Sequence, residues 1–318
     1  HRDLHLSMRR QRQMCIRDRF YTNVSLIGDK IHLRYLENGV RKQNKIRFQP
    51  SFFVPHREGT HVSLTGEKFI EIACESIAEY KEKLNYLDDL TREKVSGNPK
   101  HEFDFISKYF DDEIDFDMEQ INIAYLDIEV YANDGKFPEP SQAAYPINAI
   151  SIRMHGRTHV FALRYDENST YHNDRKDITV KLYDQEEILL SEFMDFWRRS
   201  DIDIISGWNV SNFDITYICR RIEDMFGDRA LNKLSPYGRV FSFTRKNSFD
   251  SKDLIYSIRG LSQMDYLALY KKFTFANQES YKLDYIANVE LGDRKTDVSD
   301  YDNCLLYTSP SPRDRQKS

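Results

Sequence analysis

A mixed α+β or α/β fold, with a β-rich domain ahead of a second domain that interleaves strands and helices, is what this sequence predicts. Three observations carry that expectation. Apolar and polar residues alternate between Phe20 and Tyr35 on both sides of a Gly28-Asp29 turn. The run Ile121-Asn122-Ile123-Ala124-Tyr125-Leu126-Asp127-Ile128-Glu129-Val130 has the composition and period of a strand. Beyond Ser211, the residues Ile215, Ile218, Cys219, Ile222, Met225 and Phe226 recur at helical spacing.

Taken in order, residues 20–120 form the first domain. Strands at 20–27 and 31–35 flank the first turn, and Glu37-Asn38-Gly39 marks another before a strand at 46–54. Helical stretches are expected at 77–90 and 103–110. The second domain, residues 121–303, begins with the 121–130 strand. It continues with strands at 149–154, 159–165 and 178–183 and a helix at 185–199. Ile204-Ile205-Ser206-Gly207-Trp208-Asn209-Val210 reads as a short buried strand entering a turn, and Ser211-Asn212-Phe213-Asp214 opens the next helix. Residues 240–244 and 254–258 alternate as the arms of a long β-hairpin with a mobile tip. A purely structural hairpin fits the same pattern.

Both ends are expected to lie outside the fold. Arg9-Arg10-Gln11-Arg12-Gln13-Met14-Cys15-Ile16-Arg17-Asp18 and Cys304-Leu305-Leu306-Tyr307-Thr308-Ser309-Pro310-Ser311-Pro312-Arg313-Asp314 look like translated sequencing-library adapters. Residues 1–19 and 304–318 are therefore read as adapter-derived, the alternative being a basic arm and a Ser/Pro tail. The whole chain has 46 basic and 51 acidic residues. Nine basic and three acidic residues fall in the two ends, leaving 37 against 48 and a formal net charge of −11. No global positive field draws such a chain to nucleic acid. Contact with DNA falls to local clusters such as Arg220-Arg221, Arg239, Arg245-Lys246 and Lys271-Lys272, each of which also fits ordinary solvated surface. Outside the ends only Cys74 and Cys219 remain, with neither zinc spacing nor a disulfide framework. Cys219, on the apolar side of its helix, reads as a small core residue. No apolar stretch is long enough to span a bilayer and no signal peptide is visible, so a soluble, intracellular protein without membrane contact is expected.

The chemistry concentrates in acids. Period two puts Asp127 and Glu129 on one face of their strand, behind Ile121, Ile123 and Tyr125. Two like charges in a buried strand repel and are costly to desolvate, and a hard divalent cation relieves both problems. An edge-strand pair facing water accounts for the same spacing. Asp214, one turn before Ile218, sits at the margin of its helix's buried face. It could equally be the N3 partner of an N-cap at Ser211.

Asp127, Glu129 and the Asn209-x-x-x-Phe213-Asp214 run together resemble the first two exonuclease motifs of family B DNA polymerases, most closely those of T-even-like bacteriophages. Phe137-Pro138-Glu139-Pro140-Ser141-Gln142-Ala143, Gly207-Trp208-Asn209-Val210, Asp265-Tyr266-Leu267-Ala268-Leu269-Tyr270-Lys271-Lys272-Phe273 and Ser280-Tyr281-Lys282-Leu283-Asp284-Tyr285-Ile286 look like that family in order and spacing. The resemblance implies a ribonuclease-H-like (DnaQ-like) exonuclease domain behind a β-rich N-terminal domain. It implies two-metal hydrolysis of a primer 3′ end, with two Mg²⁺ (or Mn²⁺) ions. Asp127 would bridge both ions, Glu129 would ligate the nucleophile-side ion, and Asp214 would hold the other through water. Phe137, Asn209 and Phe213 match positions that meet DNA, and the hairpin matches one that helps part primer from template.

The family's third exonuclease motif, Tyr four residues before Asp, is absent from the sequence. The resemblance therefore implies a C-terminally truncated piece of a replicative polymerase, without its palm, fingers and thumb and with little exonuclease activity alone. The implied partners are primer–template DNA, a single-stranded 3′ end and a sliding clamp engaged beyond this chain. The implied setting is the cytoplasm of an infected bacterium. Two other readings stand beside it: a non-catalytic nucleic-acid-binding module, and a stand-alone exonuclease clipped at its end.

Overall fold

The computed structural model describes residues 19–97, 100–110, 114, 117–132, 135–164, 175–246 and 252–293. The segments read as adapter-derived lie outside these, apart from Arg19. The chain gathers into two compact units that divide between Gln120 and Ile121. Among the described residues no helix is long and apolar enough to cross a membrane.

In the first unit, β1 (Arg19–Ile27), β2 (Lys30–Glu37) and β3 (Val40–Arg47) form an antiparallel sheet in that order. Asn38 and Gly39 both take positive φ, 53° and 72°, the turn chemistry that closes a tight hairpin. A second sheet has the order β4 (Ser51–Pro55), β6 (Lys68–Ala73), β5 (His61–Val62). The single strand expected at 46–54 is therefore two, interrupted at Pro50, which has no N–H to donate to a ladder. Helices α1 (Ile77–Tyr86), α2 (Asp89–Glu93) and α3 (His101–Tyr109) follow. The helix expected at 77–90 stops short because Asp88 caps a new one, accepting the Thr91 N–H at 2.8 Å. Ile31, Leu33, Tyr35, Phe48, Phe105 and Phe110 form the main core of this unit.

The second unit is built on a six-stranded mixed sheet. Its strands are β7 (Ile123–Val130), β8 (Ile147–Met154), β9 (Arg157–Leu163), β10 (Ile178–Tyr183), β11 (Ile204–Gly207) and, much later, β14 (Ser262–Asp265). Their order is β10-β9-β8-β7-β11-β14. The β7–β8 and β8–β9 pairs are antiparallel, whereas β7–β11 and β11–β14 are parallel. Asp203, fully buried, ties the starts of the parallel strands: its carboxylate accepts the Asn122 N–H at 2.9 Å and its carbonyl accepts the Ser262 N–H at 2.9 Å.

Helix α4 (Glu186–Arg199) and helix α5 (Asp214–Phe226) supply the apolar side chains that bury one face of this sheet. Ala124, Leu126 and Ile128 of β7 meet Leu189, Leu190, Phe193, Ile215, Ile218 and Ile222 in one core. Each fully buried Leu or Ile there contributes roughly 1.5–3 kcal/mol. Cys219 lies in this core as expected, its thiol pushed far up by burial. A short α6 (Asp228–Leu231) leads to β12 (Val240–Lys246) and β13 (Lys252–Ile258), which pair antiparallel from Val240↔Ile258 to Lys246↔Lys252. These are the arms of the expected hairpin, whose tip lies outside the described residues. Helices α7 (Tyr266–Phe273) and α8 (Leu283–Leu291) close the described chain. The fold is mixed α/β, with β-rich sheets in the first unit.

Candidate active site

The alternation along β7 runs as expected, but its buried side is the other one. Ala124, Leu126 and Ile128 face the core, while Tyr125 is 53% exposed and Asp127 is exposed with it. The strand is interior to the sheet, between β8 and β11, so neither a buried face nor a sheet edge describes this pair. Glu129 follows on the same side, half-buried, where the pairing with β8 shifts register between Glu129 and Val130.

Asp214 is the buried acid, 3% exposed. It does not act as the partner of a cap at Ser211: α5 begins at Asp214 itself, and its N-cap position, Phe213, makes no side-chain hydrogen bond. The Asp214 carboxylate reaches across to β7, where Oδ1 accepts the Ile128 N–H at 2.9 Å. Burial pushes this carboxyl up to about 8, with repulsion from Asp127 next and a smaller push from Asp265. The Ile128 N–H works the other way, favouring the charged form. Asp127 and Asp214 are thus brought together electrostatically across the β7–α5 contact.

The segment between β11 and α5 is shaped by two residues. A Cβ at Gly207 would stand 2.5 Å from the Leu126 carbonyl, so only glycine lets β11 run this close to β7 here. Asn209 has φ 58° and its carbonyl accepts the N–H groups of Asn212 and Phe213 at 3.1 and 3.0 Å. Its side-chain Oδ1 accepts from Asn212 Nδ2 at 2.8 Å, and Arg245 at the end of β12 donates to Asn212 Oδ1 at 3.0 Å. The hairpin is therefore joined to Asn209 through one intervening amide.

Phe137 is 70% exposed and its ring lies 5.8 Å from that of Phe213, so the two aromatic candidates stand together beside Asp214. The loop bearing Phe137 is fastened by fully buried Tyr217, whose hydroxyl donates to the Tyr145 carbonyl at 2.8 Å and accepts the Tyr145 N–H at 3.1 Å. Arg221 donates to Ala143 O at 3.3 Å and pairs with buried Glu186, which also accepts the Ile147 N–H at 2.8 Å.

Of the basic clusters, Arg220 pairs with Glu223 and Asp224 on its own helix, and Arg221 pairs with Glu186, so both charges are matched within the chain. Lys271 lies over the Tyr281 ring at 4.6 Å and Lys272 over Phe273 at 5.5 Å. Asp265, which carries no sequence signal of its own beyond the run it stands in, accepts N–H groups from the 209–211 segment.

Among the described residues, no group of three or more His, Cys, Asp or Glu side chains stands in a ready metal-binding arrangement. The donor chemistry of Asp127 and Asp214 nevertheless suits a hard divalent cation. A carboxyl whose charged form is disfavoured by burial first and by a neighbouring carboxylate second is relieved by positive charge, and both residues offer only oxygen.

Residues 75–286 match the family described as DNA polymerase family B, exonuclease domain. The chain is 33% identical over 301 residues to the DNA-directed DNA polymerase of Escherichia phage RB69, covering 86% of this chain and 33% of that protein. It is 30% identical over 298 residues to the DNA-directed DNA polymerase of Enterobacteria phage T4, covering 85% and 32%. Similarity extends to the DNA polymerase delta catalytic subunit of Oryza sativa subsp. japonica, 27% over 189 residues, covering 57% and 17%. The chain spans about a third of the length of the phage relatives. With a mixed sheet of ribonuclease-H-like exonuclease type behind β-rich N-terminal sheets, this chain belongs to the family B DNA polymerases and carries their exonuclease domain.

Proposed function

We propose that this region hydrolyses nucleotides from the single-stranded 3′ end of DNA, as the proofreading exonuclease of a longer DNA-directed DNA polymerase. One observation supports it above the rest: the buried carboxyl of Asp214, at the start of α5, bonds to β7 at Ile128 and feels the exposed Asp127 beside it. Paired acids of this kind recur at functional sites.

Asp127, Glu129 and Asp214 are the residues that would hold two Mg²⁺ or Mn²⁺ ions. Bound there, divalent ions supply a nucleophile at neutral pH and stabilise the leaving 3′ oxygen. The remaining work belongs to the chain. The Ile128 N–H holds the Asp214 carboxylate against β7, at the residue next to Asp127. Phe137 and Phe213 offer ring faces on which an unpaired terminal base stacks regardless of its identity, and Asn209 meets the terminal nucleotide. Arg245, through Asn212, relays the position of the hairpin to that asparagine. On this reading the partners of the whole polymerase are primer–template DNA and a sliding clamp, in the cytoplasm of an infected bacterium.

The test is Asp127→Ala in the whole polymerase, assayed on a labelled single strand. Cleavage should fall at least about 100-fold, the upper end of what even an outer partner of a metal site costs, with strand binding retained. Unchanged cleavage would overturn the proposal, and binding without any cleavage in either protein would make this region a nucleic-acid-binding module.

A further inference from the structure

We propose that Asp265 is a positioning residue of this site, holding the 209–214 segment in its working shape; the inference rests on the exonuclease reading above. Asp265 is the last residue of β14 and pairs with Gly207 at the end of β11. That register delivers its carboxylate to the segment that follows Gly207. Oδ1 accepts the Asn209 N–H at 3.2 Å and Oδ2 accepts the Ser211 N–H at 3.1 Å. The same carboxylate caps α7, accepting from Leu267 N at 3.0 Å and Ala268 N at 3.4 Å.

Capping α7 explains the second pair of bonds and not the first. The first pair joins residues more than fifty positions apart, and it falls on a strained segment. Asn209 lies in the left-handed region at φ 58°, a conformation that persists where the surrounding structure holds it. The main-chain N–H groups of Asn209 and Ser211, two residues apart, both turn toward Asp265, whose carboxylate bridges them. The Asn209 carbonyl then takes the N–H of Phe213, so the shape fixed at 209 passes directly to the first residue of α5, Asp214. Asp265 thus acts on Asn209 and Asp214 through the backbone between them, without itself touching the reacting atoms.

Asp265→Ser separates the two jobs. Serine caps a helix about as well as aspartate, but its single short hydroxyl cannot also bridge Asn209 and Ser211. Hydrogen exchange on this chain should show faster exchange at the Asn209 and Ser211 amides, with Leu267 and Ala268 still protected. In the whole polymerase, exonuclease kcat should fall about 10–100-fold, and half-activation should need more Mg²⁺. Unchanged exchange at Asn209 and Ser211, or wild-type kcat and Mg²⁺ dependence, would overturn the inference. If the serine variant does not fold, Asp265→Asn keeps the oxygen that accepts Asn209 and the α7 cap but loses the one that accepts Ser211. Exchange should then quicken at Ser211 alone, and unchanged exchange there with wild-type kcat would overturn the inference. Asp127→Ala distinguishes the two failures. If it abolishes cleavage while Asp265→Ser changes nothing, only the positioning role falls. If it leaves cleavage intact, the exonuclease reading falls first.

Discussion

Asp214 concentrates the physical tension of the second unit in one side chain. Its carboxyl is held up to about 8 by burial and by Asp127, against 3.8 for the free group. Between those values the folded state keeps a proton that the unfolded state has released, so stability falls as pH rises through the window and levels off above it. Each pH unit inside the window costs up to about 1.4 kcal/mol, and about 1 kcal/mol moves the unfolding midpoint by roughly 2–4 °C in a protein of this size. Asp214→Asn keeps the oxygen that accepts the Ile128 N–H and removes the charge. In EDTA, its unfolding midpoint should come nearest the wild type at about pH 4 and below, where both side chains are neutral in both states, and exceed it progressively toward pH 8. A wild-type midpoint that does not fall relative to the variant would refute the assignment of the buried charge. The sequence offered this residue only at the margin of a helical face. Its burial comes from α5 docking on β7 at Ile128, which no local pattern encodes.

The elements that were legible are those whose pattern repeats. β7 announces itself by period two, α5 by apolar residues at helical spacing, and the hairpin by two alternating arms around a polar stretch. β3 was missed because Val40-Arg41-Lys42-Gln43-Asn44-Lys45 is polar on both faces, as an outer strand of its sheet can be. β14 was missed because four residues are too few to show a period, and with it went the reach of Asp265 into the site. The loop that bears Phe137 had no helix or strand signal; what fastens it is a tertiary tie, Tyr217 to both main-chain groups of Tyr145. Tyr217→Phe would leave that N–H and carbonyl without their buried partner, at a cost of about 1–3 kcal/mol. Thermal unfolding should register the loss, and limited proteolysis should cut faster within residues 135–146. Equal protection of that loop in both proteins would show that Arg221 and Glu186 hold it without the tyrosine.

For the whole molecule, the acidic balance of the chain bears on how the proposed site binds and acts. Residues 20–303 carry a formal charge of −11, so single-stranded DNA approaches against the field unless cations intervene. The same residues contain no Tyr followed four positions later by Asp, the pattern that completes the family's exonuclease motifs. Binding and turnover should therefore separate. A divalent ion that engages only the folded site stabilises by mass action, about 1.4 kcal/mol at tenfold over its dissociation constant. Mn²⁺ should accordingly raise the unfolding midpoint of residues 20–303 by a few degrees, and Asp127→Asn should abolish most of the rise. Cleavage of a 3′-labelled single strand by the same protein should remain at least about 100-fold below that of the whole polymerase. Digestion at the whole polymerase's rate would mean that Asp127, Glu129 and Asp214 suffice, and the need for a further acid would be wrong. Stabilisation without cleavage would locate the missing step in residues outside 20–303, because the ions would already have found the three acids that this region supplies.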